Sequence, residues 1–333
     1  MNISSITDKN RSLTLYSLVI TLFAINAYLA FIFSPELSKT FGYDTANMIF
    51  IRQFISIVFG IAIMYMLGKL NKDIWFNRIG VTIFVVSFII LVVMSVVPAS
   101  FTPNIESIKL YLVIGGVTIN PMLFFPIGAL WLIAWSSDNK SKLFTNITIF
   151  ILMIITAGFC IEFKNMGTLL ILEALFIVML VYINGISRFT IISIIATFGA
   201  GIVFILMAEH RIQRIVTWWE LSSDFMTTLP IEKALHENIL LSLMDKISIM
   251  ALIVVLLIFI AIIYLILTNN YKNQSYKIFA VGIASLILID LMLNVLYIFG
   301  LLPIYSSSIY MFGYGSSIII SSFLMIGLFG MLI

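Results

Sequence analysis

Residues 247–267 read ISIMALIVVLLIFIAIIYLIL, and no charged residue interrupts this apolar run. A helix needs about 20 mostly apolar residues to cross the hydrocarbon core of a bilayer. The strands of an outer-membrane barrel instead alternate in hydrophobicity over about 10 residues, and this run is continuously apolar. The run therefore predicts a transmembrane α-helix.

Nine further segments are apolar over a similar length, or nearly so, and lie at 12–33, 46–67, 79–97, 110–134, 143–161, 167–184, 188–208, 277–300 and 309–332. We therefore expect an all-α polytopic membrane protein with about ten transmembrane helices, called spans 1 to 10 in chain order. The whole chain, 1–333, is expected to form a single integral membrane domain. In span 4, Asn120-Pro121 and Pro126 predict a broken or kinked helix.

The composition is that of a chain solvated by lipid. Hydrophobic residues make up 62% of the sequence and charged residues 10%, whereas soluble domains have roughly 45–50% and roughly 25%. The net charge of +3, without a long basic block, argues against nucleic acid as a partner. Cys160 is the only cysteine, and the two histidines lack the spacing of metal ligands, so no metal site is expected.

Lysine and arginine are unevenly shared between the two sets of loops that alternate along the chain. One set has ten basic residues and three acids, and the other has seven basic residues and ten acids. The ten basic residues of the first set are Lys9, Arg11, Lys69, Lys72, Arg78, Lys140, Lys142, Arg188, Lys272 and Lys277. The positive-inside rule places this set in the cytoplasm, which predicts that both termini are cytoplasmic.

The external loop between spans 7 and 8, residues 209–246, concentrates the titratable groups of the chain. It carries both histidines, His210 and His236, and twelve titratable groups in all, together with Trp218 and Trp219. Two interpretations stay open. The segment is either a solvated loop anchored by its tryptophans at the headgroup layer, or a catalytic or substrate-binding loop at the outer membrane surface.

Three charged residues fall inside predicted spans: Arg52 in span 2, Glu173 in span 6 and Asp290 in span 9. A charge at the bilayer centre costs roughly 2.5–3.5 kcal/mol on insertion scales, so each is expected to face a partner or a wet cavity. One arginine and two acids suggest an internal pair between Arg52 and one of the acids. The pair would be either a clip between helices or part of a polar cavity for an anionic headgroup or a proton path.

The most distinctive motif lies near the C-terminus, where Asn294-Val-Leu-Tyr-Ile-Phe-Gly-Leu-Leu-Pro303 is followed by Phe312-Gly-Tyr-Gly-Ser-Ser317. It resembles the SEDS family (shape, elongation, division and sporulation) of RodA- and FtsW-like proteins, in which Asn-Ile-Gly leads into Gly-Leu-Leu-Pro and then into Ser-Tyr-Gly-Gly-Ser-Ser. The motif positions of this chain, taken together with Asp290, are Asn294, Gly300, Pro303, Gly315, Ser316 and Ser317.

Weaker matches extend the resemblance to nearly the whole chain. Arg52-Gln53, Gly167-Thr168 and Arg214-Ile215 are similar to other family motifs. The family's Gln-Pro-Ser-Glu motif falls on Asn120-Pro121-Met122-Leu123, where only the proline is kept, and the aspartate of its Pro-Asp-Leu-Gly-Thr motif falls on Asn165. The chain therefore resembles a divergent member, with a SEDS-like bundle and a large external loop between helices 7 and 8.

The resemblance implies a glycosyltransferase that polymerises peptidoglycan from lipid II at the outer face of the bacterial cytoplasmic membrane, in cell shape or division. It implies lipid II, membrane lipids and a class B penicillin-binding protein as partners. It places the catalytic carboxylate on Glu237, with Glu232 as the competing position. The residues implied in substrate binding are Arg211, Arg214, Lys233, His236, Arg52 and Gln53. No cofactor is identified, although a divalent cation could supplement the basic groups around the pyrophosphate.

Two other functions stay open. The chain could be a non-catalytic SEDS-like membrane scaffold, because several family motifs are altered. It could also be a flippase or transporter of a lipid-linked precursor, built around the broken span 4 and the charges Arg52, Glu173 and Asp290.

Overall fold

The structure is a computed structural model. It describes residues 3–40, 48–98, 101–102, 104–105, 108–109, 111–114, 117–206, 216, 239–299, 301–302 and 309–333.

Eleven α-helices lie in this described part of the chain. They are α1 (Ile3–Thr40), α2 (Met48–Gly68), α3 (Lys72–Val96), α4 (Phe125–Asn139), α5 (Lys142–Glu162), α6 (Met166–Asn184), α7 (Arg188–Leu206), α8 (Ile239–Lys246), α9 (Ile249–Leu267), α10 (Gln274–Ile298) and α11 (Ser316–Leu332). Seven of them, α1, α2, α3, α5, α6, α9 and α10, are long and apolar enough to cross a membrane, and α7 and α11 are shorter apolar helices. Every helix except the short α8 falls on a predicted span, which confirms the all-α polytopic fold.

Side chains at the helix ends explain several of these boundaries. The Ser141 hydroxyl accepts a hydrogen bond from the Phe144 N–H at the start of α5, and the Asn165 side chain does the same for Thr168 at the start of α6. These N-caps satisfy backbone donors that have no partner within the helix. Gly185, with a φ of 65°, ends α6 and opens the short turn that separates it from α7.

The first half of predicted span 4 is not helical, so the expectation of a helix over 110–134 is corrected there. Within it, β3 (Leu112–Ile114) pairs antiparallel with β4 (Val117–Ile119), and just before it β1 (Asn104–Ile105) pairs antiparallel with β2 (Ile108–Lys109). The physical reason is local, because β-branched residues such as Val113, Ile114, Val117 and Thr118 favour strands.

The break predicted at the prolines of span 4 is present. The Asn120 side chain caps a single 3₁₀ turn, Pro121–Leu123, by accepting from the Met122 N–H. α4 then begins at Phe125, with Pro126 in its first turn, where the missing proline N–H leaves no hydrogen bond broken.

The helices pack into one bundle, and α4, α10 and α11 each have most of their residues buried. α4 packs against α3, α5 and α10, and α11 lies along α2. The contact between α2 and α11 is very close, since a methyl group on Gly327 would lie 3.0 Å from the Met64 Cα. The missing side chain of Gly327 therefore lets the two backbones approach, as small residues do between membrane helices.

One end of the bundle, called here the basic end, collects the positive charges. The Arg11 guanidinium donates to the Thr268 carbonyl at 2.9 Å, which brings the start of α1 to the end of α9. Tyr16 of α1 lies against Gly68 at the end of α2 and Gly330 near the end of α11. Successive helices run in alternating directions. The helix ends that carry the ten basic residues of the first loop set therefore all lie at the basic end. The far end, where α9 begins and α10 ends, is the other end of the bundle.

Candidate functional site

The second part of the C-terminal motif lies at the far end, in residues 309–317, called here the motif segment. Residues 309–315 are not helical, and Ser316 and Ser317 are the first two residues of α11. Predicted span 10 begins as a helix only at Ser316, because Met311 and Gly315 have positive φ angles of 66° and 111°. Irregular backbone at membrane depth is tolerated only where protein or water satisfies its polar groups, so the partners of this segment matter.

Asp290 of α10 holds the start of the motif segment. Its side chain is fully buried, and its carboxylate accepts a hydrogen bond from the Tyr310 backbone N–H at 2.8 Å. The Asn294 amide donates to the other carboxylate oxygen at 3.1 Å and to the Asp290 carbonyl at 2.8 Å. A buried carboxylate is tolerated when it is hydrogen-bonded in this way. Asp290 and Asn294 therefore form one unit that binds the segment.

Gln53 of α2 holds the middle of the segment, together with Asn26 of α1. The Gln53 amide nitrogen donates to the Asn26 side-chain oxygen, and the Asn26 amide donates to the Gly313 carbonyl at 3.0 Å. The Gly315 N–H donates back to the Gln53 side-chain oxygen at 3.2 Å. Both amide side chains are buried. Gln53 is therefore hydrogen-bonded to the motif segment itself. Its role in substrate binding stays a prediction.

The two motif serines bind to different elements. The Ser56 hydroxyl of α2 donates to the Ser316 hydroxyl at 2.9 Å. The Ser317 hydroxyl donates to the Thr118 carbonyl at 3.2 Å and accepts from the Asn120 N–H at 3.0 Å. One hydroxyl thus satisfies two backbone groups on the outer edge of β4, in the place that a neighbouring strand would take.

Two further bonds complete the assembly. The Ser322 hydroxyl of α11 accepts from the Met311 N–H at 2.8 Å, and the Tyr310 hydroxyl donates to the Leu123 carbonyl at 3.1 Å. The motif segment is therefore fixed to α1, α2, α10, α11 and the β4–α4 connection, and it joins elements that are distant in sequence.

Arg52 and Glu173 are the other two charged residues inside predicted spans. Arg52 is on the exposed side of α2, next to the buried Gln53. Glu173 of α6 accepts a hydrogen bond from the Thr156 hydroxyl of α5 at 3.3 Å. Both intramembrane acids, Glu173 and Asp290, therefore have neutral hydrogen-bond partners.

The loop residues predicted for chemistry lie outside the described residues. These are Arg211, Arg214, Glu232, Lys233, His236 and Glu237, and the same holds for the motif residues Gly300 and Pro303. The chain is described again from Ile239, where α8 begins, and the Leu240 and Leu243 side chains of α8 are buried. α8 packs against α9 and α10. The start of α8, at Ile239, is therefore held at the far end of the bundle.

Sequence reasoning missed four residues of the assembly: Asn26, Ser56, Tyr310 and Ser322. The signal was available for Asn26, since a lone amide in an apolar span needs a buried partner. The two serines carried no such signal, because serine in a span commonly hydrogen-bonds to its own helix, and neither did Tyr310, because tyrosine is common at membrane interfaces. Within the described residues, no group of three or more His, Cys, Asp or Glu side chains could hold a metal ion.

Comparisons with known proteins agree with this architecture. The family model FtsW/RodA/SpoVE, described as cell cycle protein, matches residues 14–235. Two Helicobacter pylori proteins named probable peptidoglycan glycosyltransferase FtsW, from strains 26695 and J99, are 24% and 23% identical. Each alignment covers 84% of this chain and 87% of the relative.

Solved structures show the same fold. The rod shape determining protein RodA of Thermus thermophilus matches with a TM-score of 0.68 at 16% identity, covering 93% of this chain and 94% of that one. A chain from a structure described as the coordination of polymerization and crosslinking by a peptidoglycan synthase complex matches with a TM-score of 0.75 at 14% identity, covering 96% of both chains.

Proposed function

Because this chain belongs to the FtsW/RodA/SpoVE family of cell cycle proteins, the SEDS family, we propose that it polymerises lipid II into peptidoglycan strands at the outer face of the bacterial cytoplasmic membrane. Two relatives of this chain carry the name probable peptidoglycan glycosyltransferase, which supports this activity. The cellular role would be in shape or division.

One observation supports this function best. The family motif is built into a fixed assembly at the far end, and α8, which follows the external loop, packs on α10 at the same end. α8, which begins two residues after Glu237 in the sequence, therefore lies beside the helix that holds the motif segment. A scaffold needs no such juxtaposition, whereas an enzyme needs its base and its binding groups in one place.

Glu237 is proposed as the general base. In the reaction, the hydroxyl of the acceptor sugar attacks the anomeric carbon of the donor, and its proton passes to the carboxylate. The polyprenyl pyrophosphate leaves with the bonding electron pair, and since it is a good leaving group, one positioned carboxylate is enough.

Positive charge is needed where the pyrophosphate leaves. Arg211, Arg214 and Lys233 are the loop residues proposed for this role, since arginine binds phosphate through two parallel hydrogen bonds. His236 adjoins Glu237 in the sequence and is proposed to contact the sugar or its phosphate. Arg52 would contribute if the substrate cavity reaches α2.

The partner and the orientation are proposals as well. One structural neighbour comes from a peptidoglycan synthase complex that couples polymerisation to crosslinking, which supports a class B penicillin-binding protein as the partner. The basic end, with its ten lysines and arginines, is proposed to face the cytoplasm. Both termini would then be cytoplasmic, and the external loop would face the site where lipid-linked sugars are presented.

The test is polymerisation of lipid II by the purified chain, alone and with its transpeptidase partner, followed on a glycan gel. We expect Glu237→Gln to lower the rate at least about 100-fold, the usual contribution of a general base. Glu232→Gln is the matched control and should keep a near-normal rate. Loss of activity in Glu232→Gln alone would move the base to Glu232, and a wild-type chain without product in either setting would favour the scaffold.

A further inference from the structure

A groove at the basic end has no role in the proposed reaction. It has a volume of about 440 Å³ and lies along the last turns of α2 and the turn that follows, and its lining residues are Ile63, Tyr65, Met66, Leu67, Lys69 and Leu70. A volume of this size is in the range of small-molecule sites, about 300–1,000 Å³. We propose that the groove binds one anionic glycerophospholipid of the surrounding leaflet, with its phosphate on Lys69 and its acyl chains on the apolar wall.

The wall of the groove suits an acyl chain. Tyr65 and Met66 are 58% and 67% exposed, so protein leaves most of their surface open to the bilayer. Ile63 is half-buried and Leu67 is buried, which gives the surface a floor rather than a flat helix face. Apart from Lys69 and Tyr65, the lining side chains are aliphatic or thioether groups.

The polar end of the groove suits a phosphate. The Lys69 ammonium lies 4.1 Å from the centre of the Tyr65 ring, a cation–π arrangement that holds the charge at the mouth of the groove. α3 begins at Lys72, directly after the turn, so the positive end of the α3 dipole follows this end of the groove in the chain.

The charge around the turn also favours an anion. Residues 69–78 contain three basic groups, Lys69, Lys72 and Arg78, and one acid, Asp73, which gives a local net charge of +2. The Arg78 guanidinium lies 5.6 Å from the Trp75 ring centre, and Trp75 is partly exposed. Aromatic rings next to basic groups are typical of the headgroup layer. A zwitterionic lipid would gain less from this field than a lipid with net negative charge.

The experiment measures the binding of dioleoyl-phosphatidylglycerol and dioleoyl-phosphatidylcholine to the purified full chain by native mass spectrometry. We expect phosphatidylglycerol to bind about tenfold more tightly, a difference of one decade in the dissociation constant. Lys69→Gln should remove most of that preference, and raising the ionic strength should weaken the wild-type preference. Ile63→Trp should weaken the binding of both lipids by filling the groove.

Lys140→Gln is the matched control, because the Lys140 ammonium also stacks on an aromatic ring at the basic end, 5.7 Å from the Trp135 ring centre. It should leave the preference unchanged within about twofold, since a lipid held at one site depends on the group that lines it. Equal losses in Lys69→Gln and Lys140→Gln would show diffuse attraction to a basic surface and overturn the proposal. So would equal affinity of the wild type for the two lipids. Neither lipid is a glycan donor, so these outcomes leave the proposed polymerase activity untouched.

Discussion

At the scale of single residues, Ser317 shows how one small side chain can connect two distant parts of the chain. Its hydroxyl donates to the Thr118 carbonyl and accepts from the Asn120 N–H. Within the described part of the chain, the hydroxyl of its neighbour Ser316 makes one hydrogen bond, with the Ser56 hydroxyl. The two serines are adjacent in sequence. Removing one hydroxyl group or the other would nevertheless leave different groups without a hydrogen-bond partner.

We expect Ser317→Ala to lower the free energy of unfolding by about 1–3 kcal/mol, because the N–H of the buried Asn120 would lose its partner and the Thr118 carbonyl would lose a hydrogen bond as well. Ser316→Ala should cost less, about 0.5–1.5 kcal/mol, since it removes a single bond from a half-buried group. Denaturation of the purified chain in mixed micelles with increasing SDS would give both values. Equal losses would contradict the bridging role of Ser317.

At the scale of elements, the boundary of α11 is set by backbone conformation. Gly315 precedes the helix with φ 111° and ψ 147°, a region that residues with a Cβ rarely adopt. Space does not limit this position, because a Cβ there would have no atom within 4 Å. The start of α11 therefore depends on the glycine for its conformation and not for its size.

Gly315→Ala should accordingly lower the free energy of unfolding by about 1–3 kcal/mol through strain alone. Gly158→Ala is the control, since a Cβ at Gly158 would also meet nothing within 4 Å, while its backbone lies inside α5. There alanine should stabilise the helix by about 0.5–1 kcal/mol. The same SDS titration measures both, and a neutral Gly315→Ala would show that the segment relaxes freely.

The connection before α4 shows where prediction from sequence failed at this scale. An apolar run such as 110–134 does not distinguish helix from strand by hydrophobicity alone, and here β-branched residues and the 115–116 Gly-Gly pair accompany a hairpin. The prolines correctly predicted a break, but not that the helix would begin only at Phe125. The hairpin edge is satisfied by Ser317, a long-range partner that no local pattern reveals.

At the scale of the whole molecule, the sequence predicted the class of fold and the order of the spans, because the need for apolar length in a bilayer is a strong constraint. It also identified Asp290, Asn294, Gly315, Ser316 and Ser317 as one motif. It did not predict that Asn26 and Gln53 would meet that motif, since pairing across the bundle depends on how the helices pack. It placed the chemistry on the 209–246 loop, of which the structure describes only Val216 and the helix that begins at Ile239.

The orientation proposed for the whole bundle can be tested with cysteine labelling in a Cys160→Ala background. Asn139 ends α4 at the basic end and Glu162 ends α5 at the far end, and both are exposed. A membrane-impermeant maleimide should label Glu162→Cys in intact spheroplasts and Asn139→Cys only after permeabilisation. The reverse pattern would invert the topology and place the external loop in the cytoplasm.

The way the motif segment is held has a consequence for biogenesis. Its partners on α1, α2 and the β4–α4 connection are synthesised long before residues 309–317 leave the ribosome. Until α11 inserts, Asn26, Gln53 and the edge of β4 lack their hydrogen bonds to the motif segment, although the rest of the bundle is nearly complete. A nascent chain that stops short of Ser317 would thus carry unsatisfied polar groups in the bilayer, and its bundle would be less stable than that of the finished chain.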